Sequence, residues 1–451
     1  MNLGSFTKTG FKNLFVLPGL IAGLGLTMAG RVTAQTFSTL HSFTTRSVTN
    51  SDGVGPAGGL ILSGNTLYGT AQFGGSSSQG TVFAVNTDGT GFTTLHEFTA
   101  LQNNTNSDGA QPMAGLVLSS NTLYGTASGG GSSSNGTVFA VNTDGTGFTV
   151  LHSFTAASGH AYTNSDGAFP YAGLILSGNT LYGTALGGGR SGAGTVFAVK
   201  TDGTDFTVLH TFGAFSTSDP LINSDGTYLH GGLLLSGNTL YGTAEFGGRS
   251  GLGTVFKLNT DGTGFTALHS FTAIGAGATN SDGANPTAGL FFSGGILYGT
   301  TYFGGTSGNG ALFAVNTNGA GFTNLHSFTL GTGDVEPVNS DGANPYAGLI
   351  LSGNTLYGTA QVGGSSRSGT IFSLSLPRPQ LTVTPAGADA VLTWPTSTPG
   401  FGYAGYTLQS TTNLGSPVIW STNSPTPFVV NGQFAVTNPI SGPPKFYRLS
   451  Q

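Results

Sequence analysis

Cysteine is absent from all 451 residues. That absence excludes disulfides, thiolate metal sites, a cysteine nucleophile and a lipid-modified N-terminal cysteine, and it leaves stability to packing alone. Charge is nearly as scarce, at 6% of residues, against about 25% in an ordinary globular chain. Low charge often accompanies disorder, but 11% aromatics and many Val, Ile and Leu argue for a folded chain. The surface must then be made of Ser, Thr, Asn and the 78 glycines, a composition that suits an extracellular all-β protein. Basic residues are too few and too scattered to hold nucleic acid or an anionic membrane. No phosphate loop, nucleophile elbow or metal-binding motif is present.

The N-terminus is the one long apolar stretch. Lys8 and Lys12 precede the run Leu14–Ala29, and Val32-Thr33-Ala34 offers a small-residue cleavage site before Gln35. This is the pattern of a secretory signal peptide spanning residues 1–34. The rival is a retained membrane anchor. The run is short for a span and contains Pro18, Gly19, Gly23 and Gly25, which favours cleavage. Three of the 12 basic residues and none of the 17 acidic ones lie before residue 35. The mature chain then carries 9 basic against 17 acidic residues, a net charge of −8, and no membrane-spanning segment.

What the sequence has in abundance is repetition. Leu-Tyr-Gly-Thr places its Tyr at 68, 124, 182, 241, 298 and 357. Asn-Ser-Asp-Gly begins at Asn50, Asn106, Asn164, Asn223, Asn280 and Asn339, with the same five spacings of 56, 58, 59, 57 and 59 residues. Each unit holds four strand-like segments rich in β-branched and aromatic residues; in the second they are Gly115–Ser119, Thr122–Ala127, Thr137–Asn142 and Phe148–Phe154. "SGNT" reads as a tight hairpin and "NTDGTG" as a longer one, so the strands run antiparallel. In Thr81–Val85, Phe83 and Val85 point one way and Val82 and Ala84 the other. A sheet apolar on both faces must be covered on both, as radially packed blades are.

The strand count predicts closure. The array opens with a fourth-strand motif, Phe37–Phe43, and ends with a third strand, Ile371–Leu376, that no fourth follows. The expected fold is therefore all-β: a six-bladed β-propeller over 35–376, its last blade completed by the N-terminal strand. An open β-solenoid is the rival and gives no reason for this complementary truncation. "PRP" (377–379) reads as a linker, and seven short strands in 380–451 suggest a small β-sandwich of immunoglobulin or fibronectin type III kind with Trp394 in its core. These strands are Leu381–Thr384, Val391–Trp394, Tyr406–Ser410, Val418–Trp420, Phe428–Val430, Phe434–Thr437 and Phe446–Leu449.

The units "NSDGxxPxAGLxLSGNTLYGTAxxGG…GTVFAVNTDGTGFTxLHSF" resemble the GloVer-type tandem repeat of exported bacterial proteins over residues 37–376. The resemblance implies export, secretion or cell-surface placement, often with a sorting or anchoring module after the repeats, and it implies no established reaction. This chain departs from members with a short hydrophobic sorting tail, since it ends in "KFYRLSQ".

Three sets of residues compete for function. The repeated acids Asp52, Asp108, Asp166, Asp225, Asp282 and Asp341 echo part of a calcium loop. Calcium asks for six to eight oxygens and several carboxylates, whereas an Asx-turn followed by Gly accounts for the motif without metal. The six histidines His41, His96, His152, His210, His269 and His326 tempt a metal or catalytic reading. Placed in outermost strands they form a wide ring and cannot converge on one ion. Phe92, Thr94, His96 and Phe98 are expected on one strand face, with the histidine hydrogen-bonded between blades.

Catalysis uses different groups in defined roles, so a site is expected where the units differ. The connections joining the units, and those between second and third strands, should share one face of the ring. The varied residues there are Arg190, Arg249, Arg367, Glu245, Phe246, Tyr302 and Phe303, with His160, Tyr162, Asp219, Tyr228, His230, Asp334 and Glu336 in the longer connections. Tyr228, His230, Glu245, Phe246, Arg249, Tyr302, Arg190 and Arg367 are the candidate ligand-binding set. The expected function is a non-catalytic, monomeric scaffold without cofactor or metal, binding a glycan or a surface protein. The alternative is a carbohydrate-active hydrolase or lyase at the axial mouth, which would need two carboxyls about 5–10 Å apart.

Overall fold

The repeat sets the architecture strand by strand. In a computed structural model of the chain, the structure describes residues 38–44, 50–159, 161–214, 216, 222–332, 338–398, 401–403, 405–422 and 425–450. The first unit is an antiparallel sheet of Ile61–Ser63, Thr66–Ala71, Thr81–Asn86 and Thr93–Glu97, hydrogen-bonded in that order. The next four units repeat it, and the second has strands Val117–Ser119, Thr122–Ala127, Thr137–Asn142 and Thr149–Ser153. The sixth has three strands, Ile350–Ser352, Thr355–Ala360 and Thr370–Ser375. Tight turns occur where Gly-Asn permits them: Gly64, between the first two strands, has φ +56°, the left-handed region glycine enters without penalty. In the longer hairpin Asp88 accepts from the amide and hydroxyl of Thr90 at 2.9 and 2.7 Å.

The third strand of each of the first five units is buried on both sides, whereas that of the sixth is half exposed. Val82 and Ala84 of unit 1 pack with Leu116, Leu123, Phe139 and Val141 of unit 2. Val138 and Ala140 of unit 2 meet Leu174, Leu181, Phe197 and Val199 of unit 3 in the same manner. Five such cores join units 1 through 6 in series.

One expectation about the fourth strand is corrected. Val82 pairs with His96 but Phe83 pairs with Thr94, so a bulge at Leu95 puts Thr94 and His96 on opposite faces of the strand. The consequence is useful: Phe92 stacks on Phe83 of its own unit and on His41 behind it, while His96 faces forward and stacks on Phe148 of the next unit. Without the bulge, Phe92 and His96, four residues apart, would face the same way.

Of the expected closing strand Phe37–Phe43, Phe37 lies outside the described residues. Residues 38–44 lie in no strand and form no ladder with Thr370–Ser375. His41 and Phe43 do pack on unit 1, with Phe43 and Phe83 rings 5.3 Å apart. The signal-peptide assignment for 1–34 lies outside the described residues.

After Leu376 come a four-stranded sheet of Thr382–Ala386, Asp389–Pro395, Gln433–Pro439 and Phe428–Val430, and a pair, Thr407–Thr411 with Phe446–Ser450. Six of the seven expected strands are present. Val418–Trp420 is not a strand; the neighbouring Ser421 makes a single bridge to Ser410. Trp394 is 1% exposed among Leu392, Leu408 and Val436, as expected of its core.

Candidate functional site

The Asn-Ser-Asp-Gly motif turns out to be a joint. In unit 2, Asn106 accepts from the amides of Gly109 (3.0 Å) and Gly131 (2.8 Å) and donates to the carbonyls of Gly109 (2.7 Å) and Thr99 (2.9 Å). It therefore closes its own turn and staples it to the link between the second and third strands. Backbone bridges such as Val54 to Phe73 and Ala110 to Gly129 run alongside. Both sets of connections thus share one face, as expected.

The aspartate holds the outermost strand of the preceding unit. Asp52 accepts from His41 Nε2 (3.1 Å), Thr44 N (2.9 Å) and Thr44 Oγ1 (2.6 Å). The same His pairing recurs at 2.9–3.1 Å for Asp108, Asp166, Asp225, Asp282 and Asp341. Burial opposes the charge on Asp108, but hydrogen bonds from His96 and Thr99 outweigh it and hold the carboxyl below its ordinary 3.8. Asp52, Asp166, Asp282 and Asp341 are shifted the same way for the same reasons. These six acids, the weak calcium candidates, have their oxygens engaged by protein donors. Among the described residues no three His, Asp or Glu gather closely enough to hold an ion.

The varied residues separate into two groups. Arg190, Arg249 and Arg367 are exposed, and the Arg249 amide donates to Ser270 Oγ in the outermost strand of its unit at 2.8 Å. Arg367 has φ +62°. Nearer the first strands lies a second, tighter group. His230 Nε2 is 3.1 Å from Glu245 Oε2, and the ring of Tyr171 is 5.9 Å from that of His230. Tyr302 and Tyr346 cross edge to face at 6.0 Å, and Tyr302 Oη donates to Gln361 Oε1 at 3.0 Å. Partial burial, then the charge of Glu245 and the neighbouring Tyr302, raise the Tyr346 phenol above its ordinary value, so it remains a neutral donor through the physiological range. Tyr346 is nonetheless 53% exposed.

Tyr171 and Tyr346 were missed in the sequence. Both follow Pro in the repeat, as His230 follows Leu229, so the three occupy one equivalent position in different units. Comparing units position by position would have found them. Tyr228 supports this group from behind. It packs edge-on against Phe246 at 5.5 Å, and its carbonyl accepts from the amides of His230 and Glu245 at 3.1 Å.

The equivalents Gly55, Gln111, Phe169, Tyr228, Asn285 and Asn344 all have φ between +56° and +69°. Gly and Asn adopt this readily, whereas an aromatic there is strained. Unit 4 is also where a repeated bond is lost. Thr126 and Thr243 donate to the carbonyls of Ala172 and Ala288, but buried Thr184, which faces unit 4, has no partner. Tyr162, in a longer connection, donates to Asn135 Oδ1 at 2.6 Å and stacks on Phe169 at 5.4 Å. His160, Asp219, Asp334 and Glu336 lie outside the described residues.

The overlapping matches to one repeat family cover residues 19–165, 98–227, 159–338 and 214–398. None of the curated proteins matches the chain. Among solved structures, a GH74 enzyme of Niastella koreensis is similar at 14% identity and TM-score 0.41, over 76% of this chain and 50% of that one. TolB of Acinetobacter baumannii is similar at 11% and 0.31, over 70% and 57%. A nidogen/laminin complex is similar at 16% and 0.35, over 58% and 75%. With well over half its length matched, the chain belongs to the Gloeobacter/Verrucomicrobia repeat family.

Proposed function

We propose that the protein is an exported, monomeric, non-catalytic six-bladed propeller with a C-terminal immunoglobulin or fibronectin type III-like module, and that it binds glycan at the cell surface through its connection face. The observation that carries this reading is the group Tyr171, His230, Glu245, Tyr302 and Tyr346. Tyrosine rings supply flat apolar platforms with a hydroxyl at the rim. Glu245, His230 and the Tyr hydroxyls supply hydrogen-bonding groups beside them. A sugar offers the complement: an apolar ring face edged by hydroxyls. The group lies in connections held by a scaffold of strands while its members differ from unit to unit, which is where binding sites usually develop.

Hydrolysis is the weaker fit. Glycoside hydrolases need two carboxyls, and Glu245 is the one carboxylate among the described residues of this group, already paired with His230. The repeated aspartates are committed to His and Thr. The test is to incubate the mature protein with a panel of soluble polysaccharides, measuring retention in affinity electrophoresis and the release of reducing ends. Retention by one polysaccharide without new reducing ends is the expected result. New reducing ends would replace this reading with the enzyme; retention by none would remove glycan from it.

A further inference from the structure

Two positions that recur in every unit build the tyrosine group. One lies just before the first strand and carries Tyr171, His230 and Tyr346; the other follows the second strand and carries Glu245 and Tyr302. Across the six units these positions hold a single acid, Glu245, and neither Lys nor Arg. Among the described residues the one basic side chain within ion-pair distance of Glu245 is His230, which meets Oε2 at 3.1 Å. No protein donor among them reaches the other oxygen, Oε1. The Glu245 side chain is only 18% exposed, and a carboxylate buried to that degree loses solvation that a cation would offset.

The neighbouring rings present the same sign of charge. Tyr302 and Tyr346 stand edge to face, with their planes at 88°, and the face of an aromatic ring is the negative side of its quadrupole. Tyr346 is more than half exposed, and it lies within the field of Glu245: after burial, that charge is the largest cause holding its phenol above the ordinary value. A carboxylate beside two perpendicular rings is the environment in which an alkylammonium is held by charge and cation–π attraction together. A sugar bearing hydroxyls alone would use the rings and leave Glu245 without a counter-charge. The backbone that carries the carboxylate is anchored in advance, since the Glu245 amide donates to Tyr228 O at 3.1 Å and its carbonyl accepts from Asn285 Nδ2 at 3.1 Å.

We infer that the glycan taken by this group is an amino-sugar polymer, one of whose protonated amines sits between Glu245 and the face of Tyr346. The inference rests on the glycan reading of the same group and narrows it to a cationic class. The net charge of the whole chain, −5, adds a long-range attraction for such a polymer and repels uronic-acid and sulfated polysaccharides.

The test is titration calorimetry of the protein with a fully deacetylated glucosamine oligosaccharide and with its N-acetylated counterpart of equal length. Acetylation removes the positive charge and keeps the sugar ring. The amine form is expected to bind about tenfold tighter, with an advantage that shrinks as salt is raised. Glu245→Gln should abolish that advantage; it keeps an acceptor for His230, so its melting temperature should match that of the parent. Equal or tighter binding of the acetylated form, or a preference that survives Glu245→Gln in folded protein, would overturn the inference and leave the glycan reading standing. Retention of a neutral polysaccharide with binding of neither oligosaccharide would do the same. A tetralysine peptide bound as tightly as the amine oligosaccharide would assign the site to protein amines and also overturn it. Retention of no glycan at all would overturn both the inference and the glycan reading beneath it.

Discussion

At the scale of single residues, the repeat assigns each polar group a partner, and the departures from it are informative. The turn in Asn-Ser-Asp-Gly was legible, since Asx and Gly chemistry is local. The His–Asp pairing was not, because the partners stand 11–15 residues apart and belong to different units; the only trace was that every His is followed by its Asp at nearly fixed spacing. In unit 4 the threonine that serves Asp108 and its equivalents is replaced by Gly213, whose amide alone donates to Asp225. A Cβ there would lie 3.1 Å from Asp225 Oδ1, and at the equivalent position Thr44 and Thr99 donate their hydroxyls to Asp52 and Asp108. Gly213→Thr is therefore expected to stabilise the protein by about 1 kcal/mol in urea unfolding; a loss would mean the backbone there differs from its equivalents. Tyr228→Asn relieves a left-handed aromatic and is expected to gain about 1 kcal/mol. The same change should weaken ligand binding, because Tyr228 backs the His230–Glu245 pair. Five aspartates have folded values below 3.8. Their contribution is complete above the unfolded value and lost as pH falls through the folded ones. Urea midpoints should thus fall below about pH 4, less steeply in Asp108→Asn than in the parent.

At the scale of the strand and the sheet, the sequence was most readable. Gly-Asn and Asp-Gly turns bound the strands, and the strands of unit 2 match to within two residues. The bulge at Leu95 was invisible because nothing in "FTTLHEF" breaks the alternation; it arises from packing, which requires Phe92 to face back and His96 forward. Phe148 is partly buried and stacks on both His96 and Phe139, so Phe148→Ala is expected to cost about 2 kcal/mol, less than a fully buried Phe, measured by chemical denaturation. A loss no larger than that of an exposed substitution would show that the ring stack contributes little. The varied residues were half legible. Glu245, His230 and Tyr302 stood out as charged or aromatic in the connections, but Tyr171 and Tyr346 passed as ordinary members of a Pro-x-Ala-Gly segment. The arginines were grouped with them on chemistry, but Arg249 bonds through its amide to the outermost strand of its unit instead.

For the whole molecule, a serial array of sheets joined by shared cores implies that small terminal losses have large effects. Deleting Gln35–Thr44 is expected to lower the melting temperature by far more than ten exposed residues would, since it removes His41 and Thr44, which Asp52 holds against unit 1. Chelator should leave that temperature unchanged, because each repeated aspartate is satisfied by protein donors and no ion is coupled to folding; a shift of several degrees restored by micromolar calcium would reinstate the metal. The number of units and their order were readable from periodicity alone. The three-stranded sixth unit was readable as a count of strands, since the sequence says which strand is missing but not where its supplier lies. The central claim is that residues shared by all units build the structure while residues that differ carry binding. The most direct measurement compares the glycan affinity and melting temperature of Tyr302→Ala and Tyr346→Ala with those of Asp108→Ala and His96→Ala. The account predicts about tenfold weaker binding, close to 1.4 kcal/mol, at unchanged melting temperature for the tyrosine variants, and lowered melting temperature with intact affinity of the folded fraction for the other two. Tyrosine variants that bind normally, while a His or Asp variant loses affinity without losing stability, would contradict it.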